Sequence, residues 1–129
     1  MSYDLMVFDP KAAPAGRPAF RAWYKRQTDW QRGYNYNDPN HCTPQLRAWF
    51  DDMVQSFPPL NGPFATHDFN DDFVADYSIG PLVIYMAFGW TLARPAYDKV
   101  FTLAQKHRVG FYDVSGDEGD GLIWTPPAA

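Results

Sequence analysis

The chain has 129 residues, a formal charge of −4, 46% hydrophobic and 20% charged residues. That length fits a single domain spanning residues 1–129, which buries about two thirds of its unfolded surface without needing a staple, and the composition excludes a disordered chain. The one cysteine, Cys42, excludes an intrachain disulfide and any multi-cysteine metal site, and agrees with a reducing compartment.

The first nine residues lack a cationic leader, and the longest apolar run, residues 82–88, is too short to span a bilayer. A cytoplasmic protein with no membrane partner is expected. Charge is segregated along the chain: residues 1–47 sum to +3, 48–93 to −6, 94–108 to +3 and 109–129 to −4. Acidic segments gathered on one face would steer toward cationic partners and away from nucleic acid.

Tyr3 to Phe8 reads as a first strand, apolar on both faces apart from Asp4, and so inside a sheet. Asp9-Pro10 ends it, and an Ala, Pro and Gly connector leads to Pro18. Phe20, Trp23, Tyr24 and Trp30 then share one helical face, with a gap at Gln27, predicting a helix over residues 18–32 stopped by Gly33. Residues 34–42 have the Asn, Asp and Pro content of turns, with two tyrosines added.

Thr43-Pro44 is a helix start, and Leu46, Trp49, Phe50, Met53, Val54 and Phe57 repeat at helical spacing until Pro58-Pro59. A long loop over residues 60–73 follows. Two strands are predicted at 74–79 and 82–88 around a Gly80-Pro81 turn. Thr91 can cap a third helix in which Ala93, Ala96, Tyr97, Val100, Phe101 and Ala104 share a face, closed by Lys106, His107 and Arg108. Strands at 109–115 and 122–125 complete the order βααββαββ. The fold class is α+β: a mixed, largely antiparallel sheet of four to five strands, split β-α-β-like, with three helices packed mainly on one face.

Chemistry-bearing clusters are few. His67, Asp68, Asp71 and Asp72, with Asp76 beyond, form the densest group of candidate ligands, yet lack the alternation and glycine of a calcium loop. Asp113, Ser115, Asp117, Glu118 and Asp120 lack a closing glutamate and read as a solvated turn. His41 and Cys42 are sequence neighbours, a poor geometry for a nucleophile and its base. The stripe Arg17, Arg21, Lys25 and Arg32 reads as a solvated basic edge, and no glycine-rich phosphate loop follows a strand. No catalytic residue, metal or cofactor is therefore assigned. Trp30, Tyr34 and Tyr36 are the aromatics placed outside the core, where large rings with polar tips make good contact residues.

Tyr3-Asp4-Leu5-Met6-Val7-Phe8, Phe57-Pro58-Pro59-Leu60-Asn61-Gly62-Pro63, Asp76-Tyr77-Ser78-Ile79-Gly80 and Val109-Gly110-Phe111-Tyr112-Asp113-Val114-Ser115 carry a resemblance to small proteobacterial proteins of the polymorphic or secreted-toxin immunity type. The resemblance implies a cytosolic immunity protein, and brings no catalytic motif. The expected function is thus non-catalytic protein binding: neutralising a bacterial toxin domain with a basic surface. The contact residues would be Trp30, Tyr34, Tyr36, Asp38, His67, Asp68, Asp71, Asp72, Asp117, Glu118 and Asp120. The alternative is a small metal-dependent hydrolase using His67, Asp68, Asp71 and Asp72.

Overall fold

Alternating apolar side chains on a β-rich segment make the first strand a divider between two cores. In a computed structural model, which describes residues 2–60, 62, 65, 73–116 and 121–127, β1 (Tyr3–Phe8) lies at the centre of a five-stranded sheet. The other strands are β2 (Asp76–Ile79), β3 (Val83–Phe88), β4 (Gly110–Tyr112) and β5 (Ile123–Trp124), in the spatial order β2-β3-β1-β4-β5. Every ladder between these strands is antiparallel, and among the described residues the one parallel contact is an isolated bridge between Pro59 and Ala75. The sheet is therefore antiparallel rather than mixed, and its first four strands have the split β-α-β order.

Successive side chains of a strand point to opposite faces. Leu5 and Val7 accordingly join one core, and Met6 and Phe8 the other. Over the Leu5 and Val7 face lie α2 (Pro44–Met53) and α3 (Ala93–His107), which contribute Leu46, Trp49, Phe50, Met53, Ala96, Val100 and Ala104. The Nε1–H of Trp49, fully buried, donates to the Val100 carbonyl at 3.3 Å and so ties the two helices together. Over the other face lies α1 (Arg17–Gln27), where Phe20 and Trp23 pack on Phe8 with ring centroids 5.0 and 5.9 Å away, and Tyr24 meets Tyr112 edge-on. Two helices share one face and α1 takes the opposite one, in place of the three helices expected mainly on one face. Burying each such large side chain stabilises the fold by about 1.5–3 kcal/mol. Among the described residues no polar or charged residue is fully buried.

Local signals set the helix ends. Thr43 caps α2 by accepting from the Leu46 N–H, with Pro44 in the first turn where no amide hydrogen is needed. Thr91 does not cap α3. It sits inside a single 3-10 turn, Trp90–Leu92, and the helix begins at Ala93 with no side-chain cap. The first helix stops at Gln27, five residues before its expected end. Thr28 turns its hydroxyl back onto the Tyr24 carbonyl at 2.9 Å, which satisfies a last-turn acceptor and lets the chain leave. The gap at Gln27 in the apolar face marks that end, and Trp30 becomes a loop residue.

Both sheet edges are short and bounded at one end. Just before β2, the Ala75 N–H donates to the Pro58 carbonyl at 3.0 Å and the Leu60 N–H to the Ala75 carbonyl at 2.9 Å. At the other edge β5 has only two residues and runs into Pro126 and Pro127. Short, proline-flanked or covered edges suppress strand addition from another chain.

Candidate partner-binding surface

Residues 28–42, between α1 and α2, form a loop whose shape is set by its own side chains. The Asn35 Oδ1 accepts from the Asn37 N–H at 2.9 Å, and the Asp38 Oδ1 from the Asn40 N–H at 2.9 Å, capping a 3-10 turn at Pro39–His41. These are Asx turns, the local bonding that makes Asn and Asp turn residues. The Tyr36 hydroxyl reaches back to accept from the Gln31 N–H at 2.6 Å, closing the loop on itself. Gly62, at φ 89°, backs onto Asn37: a Cβ there would lie 2.9 Å from the Asn37 Cβ. Glycine is needed at that close approach.

The loop gathers its rings into a row. Tyr34 packs against His41 at 5.2 Å and Tyr36 at 4.6 Å, Tyr36 meets Trp30 edge-on at 5.0 Å, and Trp30 meets Tyr85 of β3 at 5.9 Å. Edge-to-face pairs at these separations are favourable beyond the area they bury. Trp30 and Tyr34 remain 40% and 37% exposed, so the row is ordered by neighbours and still open to a partner. The Asp38 carboxylate lies 3.2 Å from the His41 Nε2 at one end.

Tyr85, at the inner end of the row, donates its hydroxyl to the Asp4 carboxylate, and Tyr24 of α1 lies in hydrogen-bond contact with it. Burial, with Asp4 adding to it, pushes the Tyr85 phenol far above its ordinary range, so this hydroxyl stays a donor. Asp4 also accepts from the Ser2 hydroxyl at 2.6 Å, while its backbone N–H donates to the Ser115 hydroxyl at 2.7 Å. Register puts Asp4 opposite Ala87, and Ala87 opposite Asp76, so the two carboxylates sit in one cross-strand row on the face that carries Tyr85.

Of the residues expected in contact with a partner, the structure brings Trp30, Tyr34, Tyr36 and Asp38 into one row. His67, Asp68, Asp71, Asp72, Asp117, Glu118 and Asp120 lie outside the described residues. Among the described residues no three His, Cys, Asp or Glu side chains are grouped to hold a metal ion, and no helix is long and apolar enough to cross a membrane. In the sequence Asp4 and Tyr85 stand out only as strand residues. A carboxylate in an otherwise apolar central strand is the signal that could have found them, because it requires a donor on the same face.

Neither a family model nor a curated protein nor a solved structure matches this chain.

Proposed function

We propose that the protein is a non-catalytic cytosolic binding protein, an immunity protein that neutralises a bacterial toxin domain. The observation that carries this reading is the exposed row Trp30, Tyr36, Tyr34 and His41, pre-ordered by ring contacts and side-chain turns. Rigid aromatic side chains lose little conformational entropy on binding and supply the anchors that dominate interface energetics. Asp38 at the end of the row, with the acidic segments 48–93 and 109–129, complements a basic partner and speeds association.

Co-expression tests it. A toxin encoded beside this reading frame should arrest growth, co-expression of this protein should restore it, and the double variant Trp30→Ala with Tyr34→Ala should not. Restoration by the double variant as by the parent, or no restoration by the parent, overturns the reading.

A further inference from the structure

Four separate segments converge on a cleft of about 1040 Å³: the connector after β1, the first turn of α2, the end of α3, and residues 125–127. It shares no residue with the aromatic row. Lys11, Lys106 and Arg108 line it together with His107, against Asp9 as the one carboxylate among its lining residues. In a chain of net charge −4 this is a local reversal of sign. Asp9 is itself engaged, accepting from the Lys11 backbone N–H at 3.0 Å.

Asp52, outside the cleft, holds the Lys106 Nζ at 2.8 Å and the His107 Nε2 at 2.6 Å. It offsets part of the positive charge and fixes where those two side chains lie. Among the cations that line the cleft, that leaves Lys11 and Arg108 with no carboxylate partner among the described residues. Arg108 donates to the Pro127 carbonyl, one of five N–H groups its guanidinium carries. Pro44 has no N–H and Thr43 takes that of Leu46, so the first turn of α2 adds the Gln45 N–H and the positive end of the helix dipole.

Arg108 also occupies a backbone position where glycine is less strained. It ends α3 at φ 56° and ψ 43°, the left-handed conformation that usually selects glycine at a helix C-terminus. An arginine there keeps a guanidinium at the mouth of the cleft at the expense of backbone ease.

We propose that this cleft binds a phosphate-bearing small molecule, with Lys11 and Arg108 as the charged contacts, His107 and Lys106 beside them, and Thr43 and Thr125 supplying hydroxyl donors. The class follows from chemistry and size. Guanidinium and ammonium groups beside the positive end of a helix suit phosphate oxygens, and pockets of about 300–1,000 Å³ take small molecules.

Calorimetric titration of the whole protein with inorganic pyrophosphate at low salt is the test, with succinate as the carboxylate comparison. Saturable pyrophosphate binding is expected, weakened about tenfold or more in Lys11→Ala and in Arg108→Gly, and unchanged in Lys25→Ala on α1. Arg108→Gly relieves the left-handed backbone, so it should lose binding while its melting temperature holds or rises. No saturable pyrophosphate binding, equal affinity for succinate, or binding that survives both cleft substitutions would overturn the assignment.

Discussion

The backbone N–H of Ile79 donates to the carbonyl of Tyr36 at 2.7 Å, so the aromatic loop is bonded directly to edge strand β2. The loop therefore moves with the sheet and presents its rings as a fixed surface. Trp30→Ala should change stability by less than about 1 kcal/mol, because the ring is 40% exposed. The same substitution should weaken partner binding by about 10- to 100-fold if Trp30 is an anchor. Thermal melts and surface plasmon resonance against the proposed partner read the two effects separately.

Gly110 opens β4 directly opposite Phe8, and a Cβ at that position would fall on the Phe8 ring. That ring is held between Phe20 and Trp23 and has no room to withdraw. Gly110→Ala should destabilise by about 1–3 kcal/mol, seen as a lower urea midpoint at an unchanged slope.

The Tyr77 hydroxyl donates to the Phe57 carbonyl at 2.7 Å from a buried position. It secures the chain just after α2 against β2. Tyr77→Phe should lower stability by about 1–2 kcal/mol in chemical denaturation, since it leaves a buried carbonyl without its donor.

Hydrogen bonds from Lys106 and His107 hold the Asp52 carboxyl below its ordinary range. A depressed folded-state pKa contributes stability above the unfolded value and loses it as pH falls through the folded one. Asp52→Asn should therefore melt lower than the parent at neutral pH, with the gap closing as pH drops below the ordinary aspartate range. Melting curves from pH 7 to pH 2 test this, and a gap that stays constant contradicts it.

Burial pushes the Cys42 thiol up to about 11, and its Sγ–H donates to the Pro39 carbonyl at 3.2 Å. The thiolate, not the thiol, is the reactive form. Cys42 should react slowly with an aromatic disulfide reagent at pH 8 in the native state and promptly in urea. Fast native labelling would show that the 3-10 turn before it opens readily.

Much of the fold was legible where apolar periodicity and turn chemistry agreed. The strand at residues 3–8, the Gly80-Pro81 turn and the apolar face of α2 all follow from local pattern, with β1 at its expected bounds and β3 starting one residue late, whereas α2 ends at Met53, four residues before Phe57. Side-chain competition escaped that reading. Trp30 sits at helical spacing from Phe20, yet Thr28 ends the helix first; Thr91 has the right chemistry for a cap, yet a 3-10 turn absorbs it. Which face α1 covers was also hidden, because β1 is apolar on both sides and accepts a helix on either. For the site, composition flagged Trp30, Tyr34 and Tyr36 as surface rings. The Tyr85 and Asp4 pairing, like the convergence of Lys11 with Arg108, joins residues far apart in the chain and exists only after folding.

The central place of β1 has a consequence for biosynthesis. Its ladder partners run from Phe88 back to Val83 and from Tyr112 back to Gly110, so the first strand to leave the ribosome waits for nearly the last. Closing such distant pairs is entropically slow. The two edges of β1 are not both paired until the chain has emerged past Tyr112, and until then a largely apolar hexapeptide is a ready substrate for a holdase chaperone. Ribosome-bound nascent chains halted before Gly110 should be protease-sensitive throughout, and those extended well past Trp124 should resist.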